Sequence, residues 1–133
     1  MWNIGLSSVA YALRTLYSKW VMFSYPFGSV GQRLSIHFTC DLERRLARWI
    51  SVGNGVVMEK NSWIYVVPEA EGASGSSILT IEDNCFIARD SQVAARNCVH
   101  LERDVILSGS VLITDHLHRY EDVTRSIKDQ GIT

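Results

Sequence analysis

Residues 79–116 read LTIEDNCFIARDSQVAARNCVHLERDVILSGSVLITDH, and within them an aliphatic residue returns every six positions. Ile81, Ile87 and Val93 form one triplet, and Leu101, Leu107 and Ile113 form a second. Working outward toward the N-terminus, Val52, Met58 and Ile64 form a third. Such a period belongs neither to an amphipathic helix nor to a strand alternating inside and outside. It suits an all-β solenoid in which each short strand sends one aliphatic side chain into an axial core and then turns a corner. Three strands complete one triangular coil.

The residue four places beyond each anchor is expected to tolerate the interior. These residues are Val56, Ser62, Cys85, Ser91, Asn97, Val105 and Val111. Gly53, Glu59, Glu82, Ala88, Ala94 and Glu102 directly follow anchors and are expected at corners facing water. Residues 68–77 (PEAEGASGSS) interrupt the repeat, and Val99-His100 add two residues to a strict count. Insertions of this kind become corner loops on one face and often carry binding.

The length of 133 residues implies one domain, and 47% hydrophobic with 20% charged residues is ordinary for a chain with a buried core. A net charge of −1 supplies no electrostatic argument for nucleic acid or an anionic surface. Cys40, Cys85 and Cys98 are odd in number and form no metal or redox motif. Cys85 and Cys98 are expected in or beside interior positions, where a thiol behaves as a small hydrophobe. The expected setting is reducing and cytoplasmic.

Residues 1–26 form a first unit. Leu6, Val9, Ala10, Leu13, Leu16, Tyr17, Trp20 and Val21 follow helical spacing, so an amphipathic helix is predicted, ending before Pro26 and Gly28. The segment lacks the basic start of a secretory signal and is too charged and short to span a bilayer. One reading packs this helix against the solenoid or a partner subunit. The alternative lays it on a membrane surface, with Trp2, Trp20 and Phe23 at the interface, which would place the protein peripherally at the inner face.

Residues 27–133 form the solenoid domain, which closes in a loop at 114–133. Leu34 and Ile36 are read as a poorly matched first coil, and Asp41–Arg48 as a solvated charged run within an atypical end that shields the first coil. His37 is read as structural or solvated. Gly53-Asn54-Gly55 suits a corner that needs positive φ. Trp63, next to an anchor, is expected to point outward against the long loop or a neighbouring subunit, with sugar stacking as the alternative.

The last clear anchor is followed by TDHLHRYEDVTRSIKDQGIT, where Asp115, His116, His118, Tyr120, Glu121 and Asp122 cluster as the repeat stops. A departure from pattern is where functional residues are expected. An imidazole titrates near neutral pH and can take a proton from an alcohol as it attacks an acyl group. Counting from the anchors Val93 and Ile113 places Arg96 below His116, where its cation would favour the neutral base, and Asn97 below Leu117. No G-x-S-x-G elbow and no Gly-rich phosphate loop is present.

The hexad array, together with DHLHRYED followed by IKDQG, resembles the hexapeptide-repeat acyltransferases of left-handed parallel β-helix fold. Within them it is most similar to the sugar and polysaccharide O-acetyltransferases related to the maltose and galactoside acetyltransferases. The resemblance covers residues 49–133. It implies that His116 is the general base and that Asn97, in the AARNC segment, contacts the acceptor. Asp115, His118 and Tyr120 are the further substrate-binding candidates of the same corner. It also implies acetyl-CoA as co-substrate, direct attack on the thioester without an acyl-enzyme, no metal, and a homotrimer with active sites between subunits. A surface polysaccharide precursor is the favoured acceptor class.

Departures from the family pattern are Glu82, Ala88 and Glu102 where glycine is usual after an anchor. The chain also stops at Thr133 where relatives continue with further coils. A fragment is therefore expected, with acetyl transfer by this chain alone not assured. Two rival readings are an interaction module that lacks the donor site and a γ-type carbonic anhydrase-like zinc enzyme. The latter would use His100, His116 and His118, whose spacing fits poorly.

Overall fold

The computed structural model describes residues 3–68 and 76–133. Among them, twelve strands of two to four residues form three parallel four-stranded sheets. The first face contains β1 (Ser29–Val30), β4 (Ile50–Val52), β7 (Leu79–Ile81) and β10 (Val99–Leu101). The second contains β2 (Ser35–Ile36), β5 (Val57–Met58), β8 (Phe86–Ile87) and β11 (Ile106–Leu107). The third contains β3 (Asp41–Leu42), β6 (Trp63–Val66), β9 (Gln92–Ala95) and β12 (Leu112–Thr114). Each sheet takes one strand from each coil, which is the arrangement of a left-handed parallel β-helix.

The register stacks the anchors coil upon coil. Ile36 pairs with Met58, Met58 with Ile87, and Ile87 with Leu107. On the third face Leu42, Ile64, Val93 and Ile113 follow one another in the same way. Ile64, Ile81, Ile87 and Val93 are fully buried. At four places beyond the anchors Val56, Ser62, Cys85 and Ser91 are buried as well. The two serines keep their hydroxyls satisfied by donating to the carbonyls of Glu59 and Ser108, so small polar residues cost little there.

The first coil is better formed than expected. Val30, Ile36 and Leu42 are its anchors, and Leu34, Cys40 and Leu46 occupy the buried plus-four places. The run Asp41–Arg48 is therefore not simply solvated. Leu42 is a core anchor, and Leu46 and Ala47 are buried within a 3-10 helix at Arg44–Trp49. Charged neighbours concealed an apolar set that obeys the same six-residue period.

Corners are built from left-handed backbone three places past an anchor. Gly55, Asn84 and Asp104 have φ of 67°, 59° and 63° after the first face, and Asn61, Asp90 and Ser110 repeat this after the second. Asn and Asp tolerate this region better than other side-chain-bearing residues, and glycine adopts it freely. Gly53 answers a different need, because a Cβ there would stand 2.6 Å from the Asp83 amide nitrogen of the next coil. Residue Ala94 departs from the water-facing expectation and is buried, being flanked on the same sheet face by Tyr65 and Thr114.

Extra residues enter at one corner only. The steps from the first face to the second and from the second to the third are six residues, as in Ile81 to Ile87 to Val93. Steps from the third face back to the first are longer: Leu42 to Val52, Ile64 to Ile81, and Val93 to Leu101. The interruption expected at 68–77 belongs to this corner, though residues 69–75 lie outside the described residues. The segment after β12 leaves from the same corner.

Helix α1 (Asn3–Ser24) packs on β2 and covers the open edge of the first coil. The Ile36 amide donates to Ser18 Oγ at 2.9 Å, so a serine side chain meets a backbone donor that no further strand pairs. Arg14 donates to Glu59 at 3.0 Å and to the Met58 carbonyl at 3.2 Å. These polar contacts set the rotation of the helix. They divide the apolar face read from the sequence: Val21 is fully buried, whereas Val9, Leu13, Leu16 and Trp20 are each more than half exposed.

Candidate functional site

The corner that gathers the insertions holds the sequence-predicted cluster. Strand β12 pairs with β9 so that Thr114 stands opposite Ala94. Continuing one residue, Asp115 reaches down to the turn of the preceding coil. Its Oδ1 accepts from the Arg96 amide at 2.7 Å, and its Oδ2 accepts from the amides of Asn97 at 2.8 Å and Cys98 at 2.7 Å. The Asn97 side-chain amide donates to the Asp115 carbonyl at 3.3 Å. Burial pushes the Asp115 carboxyl up, but the amides of Arg96, Cys98 and Asn97 together with the His116 imidazole outweigh it and hold it down at about 2.

His116 is oriented from two sides. Its Nδ1 lies 3.2 Å from Asp115 Oδ1 and 3.2 Å from Thr114 Oγ1. The Thr114 hydroxyl lies 3.2 Å from the His116 carbonyl, to which it donates. One hydrogen arrangement satisfies all three contacts: Nδ1–H donates to the carboxylate and the hydroxyl oxygen, and the hydroxyl hydrogen goes to the His116 carbonyl. The His116 side chain is 12% exposed. These contacts fix the orientation of the ring, and an imidazole so placed can exchange a proton through its other nitrogen.

The remaining predicted residues are spread over the loop and the turn below it. Beyond His116 the chain folds back on itself, with His118 bridging antiparallel to Ile132 and the Arg119 amide donating to the Gly131 carbonyl at 3.0 Å. The Gln130 side chain closes the loop by accepting from the Asp122 amide and donating to the carbonyls of Asp122 and Arg125. A cavity of about 390 Å³ is lined by His118, Ile127, Lys128, Gly131 and Ile132. Tyr120 is exposed. The Arg96 main-chain amide meets the site at Asp115, and Asn97 bonds to Asp115 through both its main-chain and side-chain amides.

Two expectations for the turn are corrected. Asn97 is exposed where an interior place was expected, because the longer β9 puts Ala95 into the core and the turn starts later. Cys98 is exposed for the same reason, while Cys40 and Cys85 are buried. Thr114 was missed by the sequence reading. Its only signal is a hydroxyl two places before the histidine, a spacing at which a side chain can bond local backbone.

His100 sits on the first face, where its Nε2 is 2.7 Å from Glu82 Oε1. Among the described residues no group of three or more His, Cys, Asp or Glu side chains is gathered as a metal site. A shallow cavity of about 280 Å³ beside Gly53, Glu82, Asp83 and Arg103 lies on that first-face side, apart from His116.

No family model matches the chain, and no solved structure does either. A probable acetyltransferase of Mycobacterium tuberculosis is 28% identical over 104 residues, which is 77% of this chain. That relative is an acetyltransferase by name. The match covers 30% of its length, so this chain spans less than a third of it. Such a likeness supports acetyl transfer in general and does not reach the substrate or the residues involved. Among the described residues no helix is long and apolar enough to cross a membrane.

Proposed function

We propose that the chain belongs to an O-acetyltransferase that moves an acetyl group from acetyl-CoA to a hydroxyl of a sugar or surface-polysaccharide precursor, with His116 as general base. The observation that carries this reading is the fixed imidazole, whose Nδ1 is held by Asp115 and Thr114 at 3.2 Å each, contacts that do not use Nε2. In the reaction Nε2 takes the acceptor hydroxyl proton as that oxygen adds to the thioester carbonyl carbon. The tetrahedral adduct then collapses with loss of the thiolate, and His116 returns the proton to the departing sulfur. No acyl-enzyme is formed.

In this reading Asp115 is a positioning residue instead of a substrate ligand, because both its oxygens already accept from backbone and imidazole. Asn97, His118 and Tyr120 remain the acceptor-binding candidates around the corner, and the Arg96 guanidinium remains the candidate for tuning the base. A homotrimer with the groove between subunits, working in the cytoplasm, is the assembly that the resemblance favours.

The test is acetyl transfer to a panel of pyranosides, followed by release of the CoA thiol, for the chain and for its His116→Ala variant. The substitution is expected to lower kcat/KM about 10²- to 10⁴-fold with an unchanged circular dichroism spectrum. Equal transfer by the variant sinks the base assignment. A chain that neither transfers acetyl groups nor binds acetyl-CoA is better read as an interaction module.

A further inference from the structure

Helix α1 carries apolar side chains on two sides. Its inner side, with Ser18 and Val21, is spent on the first coil, yet the opposite side carries Val9, Leu13, Leu16, Trp20 and Phe23 in steps of four, three, four and three. They form one continuous stripe. All are more than half exposed, and Phe23 is 93% exposed. Phe38, itself 68% exposed, lies across a cavity of about 550 Å³ that Tyr11, Leu13 and Lys60 also line, so the apolar surface continues onto the first coil. A continuous exposed apolar stripe of this kind marks a surface that another body covers.

Charge decides between the two plausible covers. Although the whole chain is near neutral at −1, residues 1–60 hold seven Lys and Arg against three Asp and Glu, and the remaining residues hold six against eleven. Because the coils stack in chain order, the surplus of four positive charges sits at the helix-capped end. Lys19 lies on α1 itself, Lys60 lines the cavity beside it, and Arg44 donates to the Ser24 carbonyl at the helix terminus. A second copy meeting this face would bring two positive ends together. An anionic bilayer would meet the same end with opposite charge, and a plane touches a helix along a single line such as this stripe.

We propose that the α1 end of the solenoid docks on an anionic membrane surface, with the stripe from Val9 to Phe23 inserted at the headgroup boundary and the cations around it facing lipid phosphates. The near-neutral net charge hid the electrostatic part of this reading, because the two ends of the molecule cancel. Docking would bring a membrane-bound acceptor within reach of the solenoid, but it does not depend on the acetyl-transfer reading.

The experiment is co-sedimentation of the chain with vesicles of phosphatidylcholine alone and of equal parts phosphatidylcholine and phosphatidylglycerol. Binding to the anionic vesicles is expected, weakened by added salt, and lowered about tenfold by Leu16→Glu or Trp20→Glu and also by Lys19→Glu with Lys60→Glu. These side chains are exposed, and circular dichroism checks that each variant stays folded. Binding that survives both apolar substitutions overturns the proposal, as does failure of the unaltered chain to sediment with anionic vesicles. If light scattering then shows an assembly that Leu16→Glu dissolves, the stripe belongs to a second copy.

Discussion

Asp115 accepts from Arg96, Asn97 and Cys98 with a charged carboxylate, so the corner beneath His116 depends on that charge. Its folded pKa of about 2 lies below the ordinary 3.8. A depressed carboxyl contributes stability that is present above the unfolded pKa and lost as pH falls through the folded one. The loss should therefore develop between about pH 4 and pH 2 and amount to about 2 kcal/mol as an upper limit. Urea unfolding as a function of pH checks this, and Asp115→Asn should flatten the acid slope in that window. An unchanged slope would mean that the carboxylate does not brace the turn. At this scale the position of His116 just past the last anchor was legible, since the repeat stops there. The partner roles of Thr114 and Asp115 were not, because adjacent polar letters do not say which of them turns toward backbone and which toward solvent.

At the level of single elements, the strands were legible because each carries one aliphatic anchor at fixed spacing. Val30, Ile36 and Leu42 obey that spacing too but sit among Arg, Asp and Glu, so the first coil was read only as a poor match and its anchors emerged in three dimensions. Corners are less forgiving than strands. Gly53 faces the backbone of Asp83 and Glu82 in the next coil, with 2.6 Å and 2.8 Å between an added Cβ and their atoms. Neither neighbour is a flexible side-chain tip, so Gly53→Ala should destabilise the chain by about 1–3 kcal/mol in denaturant unfolding. A neutral effect would show that the second and third coils can slide apart at that corner without cost. The helix showed the opposite weakness of sequence reading. Its period was plain, but its rotation was set by Ser18 and Arg14 reaching the edge of β2.

Across the whole molecule, each coil touches only its neighbours, so stability is expected to be graded along the axis. Amides of β5, such as Val57 bonding to Cys85, are paired on both sides and should exchange with solvent slowest. Amides of residues 117–133, which bond largely within their own loop, should exchange fastest. Hydrogen exchange read by mass spectrometry checks the order, and uniform protection would contradict a nearest-neighbour solenoid. The sequence by itself determined the repeat, the number of faces and the place where the repeat stops, because six-residue periodicity is a local property of side-chain burial. Only the tertiary structure decided which polar groups meet: Asp115 with the turn of the coil below, Ser18 with the free edge of β2, and the positive charges gathered at one end. Those contacts join residues about twenty apart, and their geometry follows from the stacking of coils, which no linear spacing records.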